Sequence, residues 1–206
     1  MKVIKKLPTE HKPDGSAYAA PFHKLYVSDE RGKAEAIVDV TKDAVLKTLH
    51  FDSETGMPQY DPVARKVYVN LQDSNIFAVI DPATDEVIGR YPVGRCKGNH
   101  GMTLDPEHHR AFLSSEENNL MTVFDLDKHE PIAYLDMAGA SGKRYFCLSR
   151  GSELSSLPRL RIPGTFANGL SSRLLASVSR RCTSLLSRTE TGIVLSADKV
   201  GTLNWH

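Results

Sequence analysis

The chain has 206 residues, with 26 Lys+Arg against 25 Asp+Glu, a formal net charge of +1 and 40% hydrophobic residues. That is enough chain for one sizeable domain, and the ordinary composition excludes no class of partner by itself. No apolar run follows Met1; Met1 to Pro13 is charged and polar, so neither a secretory signal nor a membrane span is expected there. The even total hides two unlike parts. Residues 1–138 hold 16 Lys+Arg against 22 Asp+Glu, a net of −6, whereas 139–206 hold 10 against 3, a net of +7.

In chain order, Val3 to Leu7 is predicted as an outer strand whose sheet partners are missing. Pro13 to Ala44 reads as strands around the turn Asp29-Glu30-Arg31-Gly32-Lys33, expected to be solvated, and Lys42 to Leu49 as a further outer strand. Phe51 to Pro58 then leads into a second unit and Val93 to Asn99 into a third. These units are copies. Tyr60 to Val93 aligns with Leu104 to Met137 without a gap at an offset of 44, placing Asp61 on Asp105, Tyr68 on Phe112, Asn75 on Asn119 and Asp81 on Asp125. A looser copy precedes them at an offset of 42, with Leu25-Tyr26-Val27 on Val67-Tyr68-Val69 and Ile37-Val38-Asp39 on Val79-Ile80-Asp81.

One copy carries the physical content. Met102 to Leu104 is a short apolar strand stopped by Asp105-Pro106, because proline removes a ladder donor. His109 to Leu113 is the next strand, Leu120 to Phe124 an apolar run too short for a helix, and Pro131 to Leu135 the fourth. Four antiparallel strands in about 40 residues is one propeller blade. A blade has two apolar faces that only neighbouring blades can cover. The expected fold is therefore all-β: a partial β-propeller of about three four-stranded antiparallel blades over 1–138, followed by an irregular or disordered segment.

The segments KVYVNLQDSNIFAVIDPATDEVIGRYPVG at Lys66 to Gly94 and GNHGMTLDPEHHRAFLSS at Gly98 to Ser115 resemble the YVTN-type β-propeller repeat, and within it the YncE-like proteins. The resemblance covers about Pro13 to Ala138. It implies a seven-bladed type of propeller, often exported to the periplasm or secreted, with no catalytic signature shared across the family. The chain departs from that pattern in holding only about three blades.

After Ala138 the repeat stops. Across 139–206 serine rises to 12 of 68 residues and arginine to 8, while Asp198 is the lone aspartate. Two readings stand: a disordered basic tail, or translation out of frame. For the second, Arg161 to Phe166 and Ser187 to Val194 can be recoded in a shifted frame to give blade-like loops. Arg144, Arg150, Arg159, Arg161, Arg173, Arg180 and Arg181 lack interleaved aromatics and a reader fold, so no nucleic-acid partner is expected.

In a propeller the segments leading into each inner strand cross the face where the central channel opens. His100, in Gly98-Asn99-His100-Gly101, is thus expected at the channel mouth, near Glu54 to Gly56 and Asp14-Gly15 of the preceding blades. Asp14, Glu54, Asn99 and His100 are the candidate ligand-binding residues. No catalytic residue is assigned and no cofactor is required, though a histidine with convergent carboxylates suits a divalent cation. His108, His109 and His129 are assigned to plain turns. The polar turns Ser28-Asp29-Glu30, Leu71 to Asn75 and Ser114 to Asn119 are expected to be solvent-exposed. Cys96, Cys147 and Cys182 have unrelated spacings that imply no disulfide framework, and Cys96 reads as a buried small residue or a free thiol.

The expected function is a fragment of a binding scaffold holding a small ligand or protein partner at the channel face. The alternatives are a propeller enzyme, lactonase-like or quinoprotein-like, and a non-functional truncated frameshift product. Three blades alone would leave open strand edges and uncovered apolar faces, which favours self-association.

Overall fold

Short apolar runs cut by polar turns form thirteen strands between Lys6 and Asp136. The computed structural model describes residues 3 and 5–136, together with the strands Leu195–Ala197 and Thr202–Trp205. The sequence expectations for the remainder of 139–206, Cys147 and Cys182 included, lie outside the described residues. Strand β1 is Lys6–Pro8. The first blade is β2 (Pro13–Ala19), β3 (Lys24–Asp29), β4 (Ala34–Asp39) and β5 (Ala44–His50), with a 3-10 turn at Ala20–Phe22. The second is β6 (Thr55–Asp61), β7 (Lys66–Leu71), β8 (Ile76–Asp81) and β9 (Glu86–Pro92). The third is β10 (Asn99–Asp105), β11 (Arg110–Ser115), β12 (Leu120–Asp125) and β13 (Glu130–Asp136). Each is a four-stranded antiparallel meander with strand order equal to chain order. Tyr68 pairs with Gln59 and Val79, and Phe112 with Thr103 and Val123, so these two aromatics hold the same place in adjacent blades.

The backbone repeats as faithfully as the sequence. Positive φ falls on His23, Arg65 and His109, on Lys33, Asn75 and Asn119, and on Asp43, Asp85 and His129, three turn positions each occupied once per blade. A left-handed residue ends each turn and returns the chain into the next strand; Asn, Asp and His are the non-glycine residues that tolerate it best. Asp39, Asp81 and Asp125 open the equivalent third turn of each blade by accepting backbone N–H bonds, for example from Thr41 at 2.8 Å and Ala83 at 2.9 Å. Those bonds hold the Asp81 carboxyl below its ordinary range.

First strands lie beside one another, β2 against β6 and β6 against β10, whereas β5, β9 and β13 carry the exposed faces. The blades therefore radiate from their first strands. Between blades one and two, Tyr26 and Ile37 pack on Val67, Val69, Ala78 and Ile80. On the face of blade two that meets blade three, Tyr68 stacks on Phe77 at 5.2 Å, and Phe77 meets Phe124 of blade three edge-on at 5.0 Å. Lys24 Nζ and Tyr26 Oη donate to the two carboxylate oxygens of Asp85 at 2.6 and 2.8 Å, tying blade one to the outer turn of blade two.

The far face of blade one is not bare. Leu7 of β1 packs with Leu25, Val27, Ala36 and Val38. Strand β1 itself pairs antiparallel with β15 (Thr202–Trp205), which pairs with β14 (Leu195–Ala197), making a three-stranded sheet in which β1 is an edge. On the far face of blade three, Phe112, Met121 and Val123 form their own buried cluster. Among the described residues no helix is long and apolar enough to cross a membrane.

Phe77 has no exposed surface and joins two blades. Phe77→Ala is expected to destabilise the chain by about 3–5 kcal/mol in urea unfolding; a loss below about 1 kcal/mol would show that the blades do not depend on each other's faces.

Candidate functional site

All three inner strands carry a β-bulge at the same place. The ladder slips between Pro13 and Ser16, between Thr55 and Pro58, and between Asn99 and Gly101. Asp14, Gly56 and His100 occupy this slip in blades one, two and three. A bulge takes a residue out of the alternating pattern and re-aims its side chain. Because blade two has glycine there, blades one and three can meet: a Cβ on Gly56 would lie 2.6 Å from the His100 carbonyl oxygen and 3.0 Å from its Cα. His100, 1% exposed, places Nε2 3.0 Å from Asp14 Oδ2 across that gap.

A second repeat position adds carboxylates. Glu30, Gln72 and Glu116 are equivalents, each following the second strand of its blade. Glu30 is buried, and its carboxylate, that of Asp14 and a ring nitrogen of His100 all lie within 4.8 Å of one another. Glu116 Oε1 is 3.6 Å from His100 Nδ1. The Lys12 ammonium pairs with Glu30 Oε2. Three carboxylates thus surround one buried imidazole, with one ammonium at the rim.

A third equivalence holds the inner strands in place. Ser28 Oγ donates to the Gly56 carbonyl at 2.5 Å, and Asn70 Nδ2 donates to the His100 carbonyl at 3.0 Å, the same bond one blade further on. Asn70 in turn accepts from Asn99 Nδ2 at 3.0 Å. Gln59 spans the same seam like an extra strand, donating to Met102 O at 2.8 Å and accepting from Leu104 N at 2.9 Å. Behind Ser28 lies Glu35, with no exposed surface and Oε2 2.8 Å from the hydroxyl. Burial pushes this carboxyl well above the ordinary range, and outweighs the opposite pull of a Ser28 proton donated to the ionised form. Ser28 has one proton and two oxygen neighbours, so both contacts are hydrogen bonds when Glu35 carries a proton and donates it to Ser28.

Of the sequence candidates, Asp14 and His100 are brought together. Asn99 instead binds Asn70 and the Ile76 carbonyl, both at 3.0 Å, and acts in the seam. Glu54 lies outside the cluster, its backbone N–H donating to Asp73 Oδ2 at 3.0 Å. The turn Ser28-Asp29-Glu30 corrects the solvent-exposed expectation, because the three residues are 0%, 1% and 7% exposed. The reason is the chain just before β2: backbone N–H groups of His11 and Lys12 donate to the Asp29 carboxylate at 2.6 Å each. Ser114 and Ser115 are likewise buried. Glu30 and Glu116 were missed, and the signal that finds them is their shared repeat position. His108 and His109 sit in an exposed turn, each bonded to an aspartate at 2.8 Å, and His129 stacks on Tyr91. Cys96 is a buried core residue beside Ser115, its thiol pushed up by burial.

No family model and no curated protein sequence matches the chain. Among solved structures it is similar to hydrazine synthase of Kuenenia stuttgartiensis, with 18% identity and a TM-score of 0.58 over 65% of this chain. The chain spans 39% of that protein's length. At this identity the likeness concerns the fold alone, and it agrees with three blades of a β-propeller.

Glu35 yields a pH dependence whose sign follows from its position. Its proton is held more tightly in the folded chain than in the unfolded one. Stability is therefore full below the ordinary value of 4.5 and falls as pH rises through the folded value, by up to about 1.4 kcal/mol per pH unit. The lowered Asp39, Asp73, Asp81 and Asp125 act below their ordinary 3.8, and the raised His109 acts above its ordinary 6.5. Urea unfolding between pH 4.5 and 6.5 should show the decline in the wild type and a shallower one in Glu35→Gln; equal slopes would overturn the assignment.

Proposed function

We propose that residues 1–138 are part of a YVTN/YncE-like β-propeller acting as a binding scaffold, with its ligand held on the channel side of the first strands. The observation that carries this reading is the 3.0 Å contact between His100 of blade three and Asp14 of blade one, made across a glycine in blade two. Packing alone gives no reason to aim a buried imidazole at carboxylates from another blade. Among the described residues carboxylates outnumber cationic groups at this place, which favours a small ligand that is positively charged or rich in hydrogen-bond donors. Catalysis is not part of the proposal. Cys96 is buried with its thiol pushed up, which opposes a nucleophilic role, and His100 stands between carboxylates rather than beside a nucleophile. A panel of small amines, polyols and sugars, read by thermal shift, should contain a stabilising compound whose effect is lost in Asp14→Asn. Compounds that stabilise both proteins equally would sink the channel-face reading.

We further propose that the parent belongs with the exported propellers and that part of 139–206 is read in a shifted frame. Pairing of β14 and β15 with β1 supports confining that shift to the region before Leu195. Resequencing the gene is expected to reveal compensating single-nucleotide changes, the first near codons 138–145 and the second before codon 195; one uninterrupted frame shared with relatives would overturn this.

A further inference from the structure

We propose that Asp14, Glu30 and His100 form a site for a divalent first-row metal ion, with Glu116 orienting the imidazole. The proposal deepens the channel-face reading and rests on it. One imidazole nitrogen and two carboxylates are a donor set suited to Zn²⁺, Mn²⁺ or Co²⁺. Their ligand atoms already lie within 4.8 Å of one another. The 3.0 Å between His100 Nε2 and Asp14 Oδ2 is close to the spacing of adjacent ligands on an octahedral ion bound at about 2.1 Å. A metal on Nε2 leaves the ring proton on Nδ1, which needs an acceptor. Glu116 Oε1, a buried atom with no hydrogen-bond partner among the described residues, stands 3.6 Å from Nδ1. Metal-bound histidines are usually held by such a carboxylate on the other nitrogen.

Among the described residues Asp14, Glu30 and Glu116 bring three carboxylates to the cluster and Lys12 one ammonium. A divalent cation competes with Lys12 for Glu30, and it keeps coordination positions open toward the channel side for water or for an oxygen of the scaffold's ligand. His100 is 1% exposed and sits on a strand fixed by Asn70, so the nitrogen is held before the ion arrives.

The test uses tag-free full-length protein stripped with chelator, titrated with Co²⁺ by absorption and with Zn²⁺ by calorimetry. One equivalent of each is expected to bind. Asp14→Asn, Glu30→Gln and Glu116→Gln should each weaken binding by about tenfold or more, with unchanged circular dichroism. Lys12→Met should tighten it about two- to fivefold, the size of a partly exposed ion pair. No bound equivalent in folded protein, or equal binding by wild type and all four variants, overturns the metal site. The two readings separate cleanly. If an organic compound from the panel binds in an Asp14-dependent way to protein that binds no metal, the channel-face reading survives and the metal site falls. If neither binds, both fall.

Discussion

The fold rests on one requirement: each four-stranded sheet has two apolar faces and must be covered on both. The middle blade shows the requirement met. Val67, Val69 and Ile80 on one side and Phe77 on the other have no exposed surface, and their partners come from the blades before and after. Each such side chain contributes about 1.5–3 kcal/mol on leaving water, whereas the ladders between strands contribute little net once exchanged with water. Blade-to-blade burial therefore fixes how closely neighbouring sheets approach. Everything near the first strands inherits its spacing from that contact.

The candidate site follows from this spacing and from one defect placed the same way in each sheet. Bulges at Asp14, Gly56 and His100 break the inner ladders at equivalent points. Polar side chains on the second strands, Ser28 and Asn70, bond the next blade's backbone at Gly56 and His100. These bonds repeat because they belong to the scaffold. The bulge residues themselves do not repeat: one is an acid, one a glycine and one a histidine. Variation at a structurally constant position is how a repeat fold builds an asymmetric site.

The architecture was legible because a repeat makes many weak signals agree. The offsets of 42 and 44 aligned the turns, the aromatics and the strands together, and the nine left-handed turn residues fall in the same register. That Asp14 and His100 come close was legible for the same reason, since both fall at the start of an inner strand. Burial of polar turns was not. Ser28-Asp29-Glu30 looks like any solvated turn until the backbone of His11 and Lys12 is known to run beside it. The seam bond of Asn99 was not legible either, because an amide that binds a ligand and one that stitches a seam to Asn70 read alike in sequence. The pairing of β1 with strands near residue 200 was beyond reach, as partners that distant leave no periodic trace.

Two buried carboxyl groups in this chain show two solutions to the same electrostatic problem. An ionised carboxylate away from water must be neutralised or paired. Glu35 takes the first course: burial raises its proton affinity, and Ser28 passes its hydrogen bond on to Gly56. Glu30 takes the second, beside Lys12 and within reach of Asp14 and His100. A neutral acid bonded to a serine already supports the seam at Gly56, so stability alone does not call for a charged cluster one bulge away. Buried ion clusters are in general a poor route to stability compared with apolar packing. Where a fold departs from its own packing rule, another task is to be sought at the departure, and in the proposed reading that place is the meeting of blades one and three over the glycine of blade two.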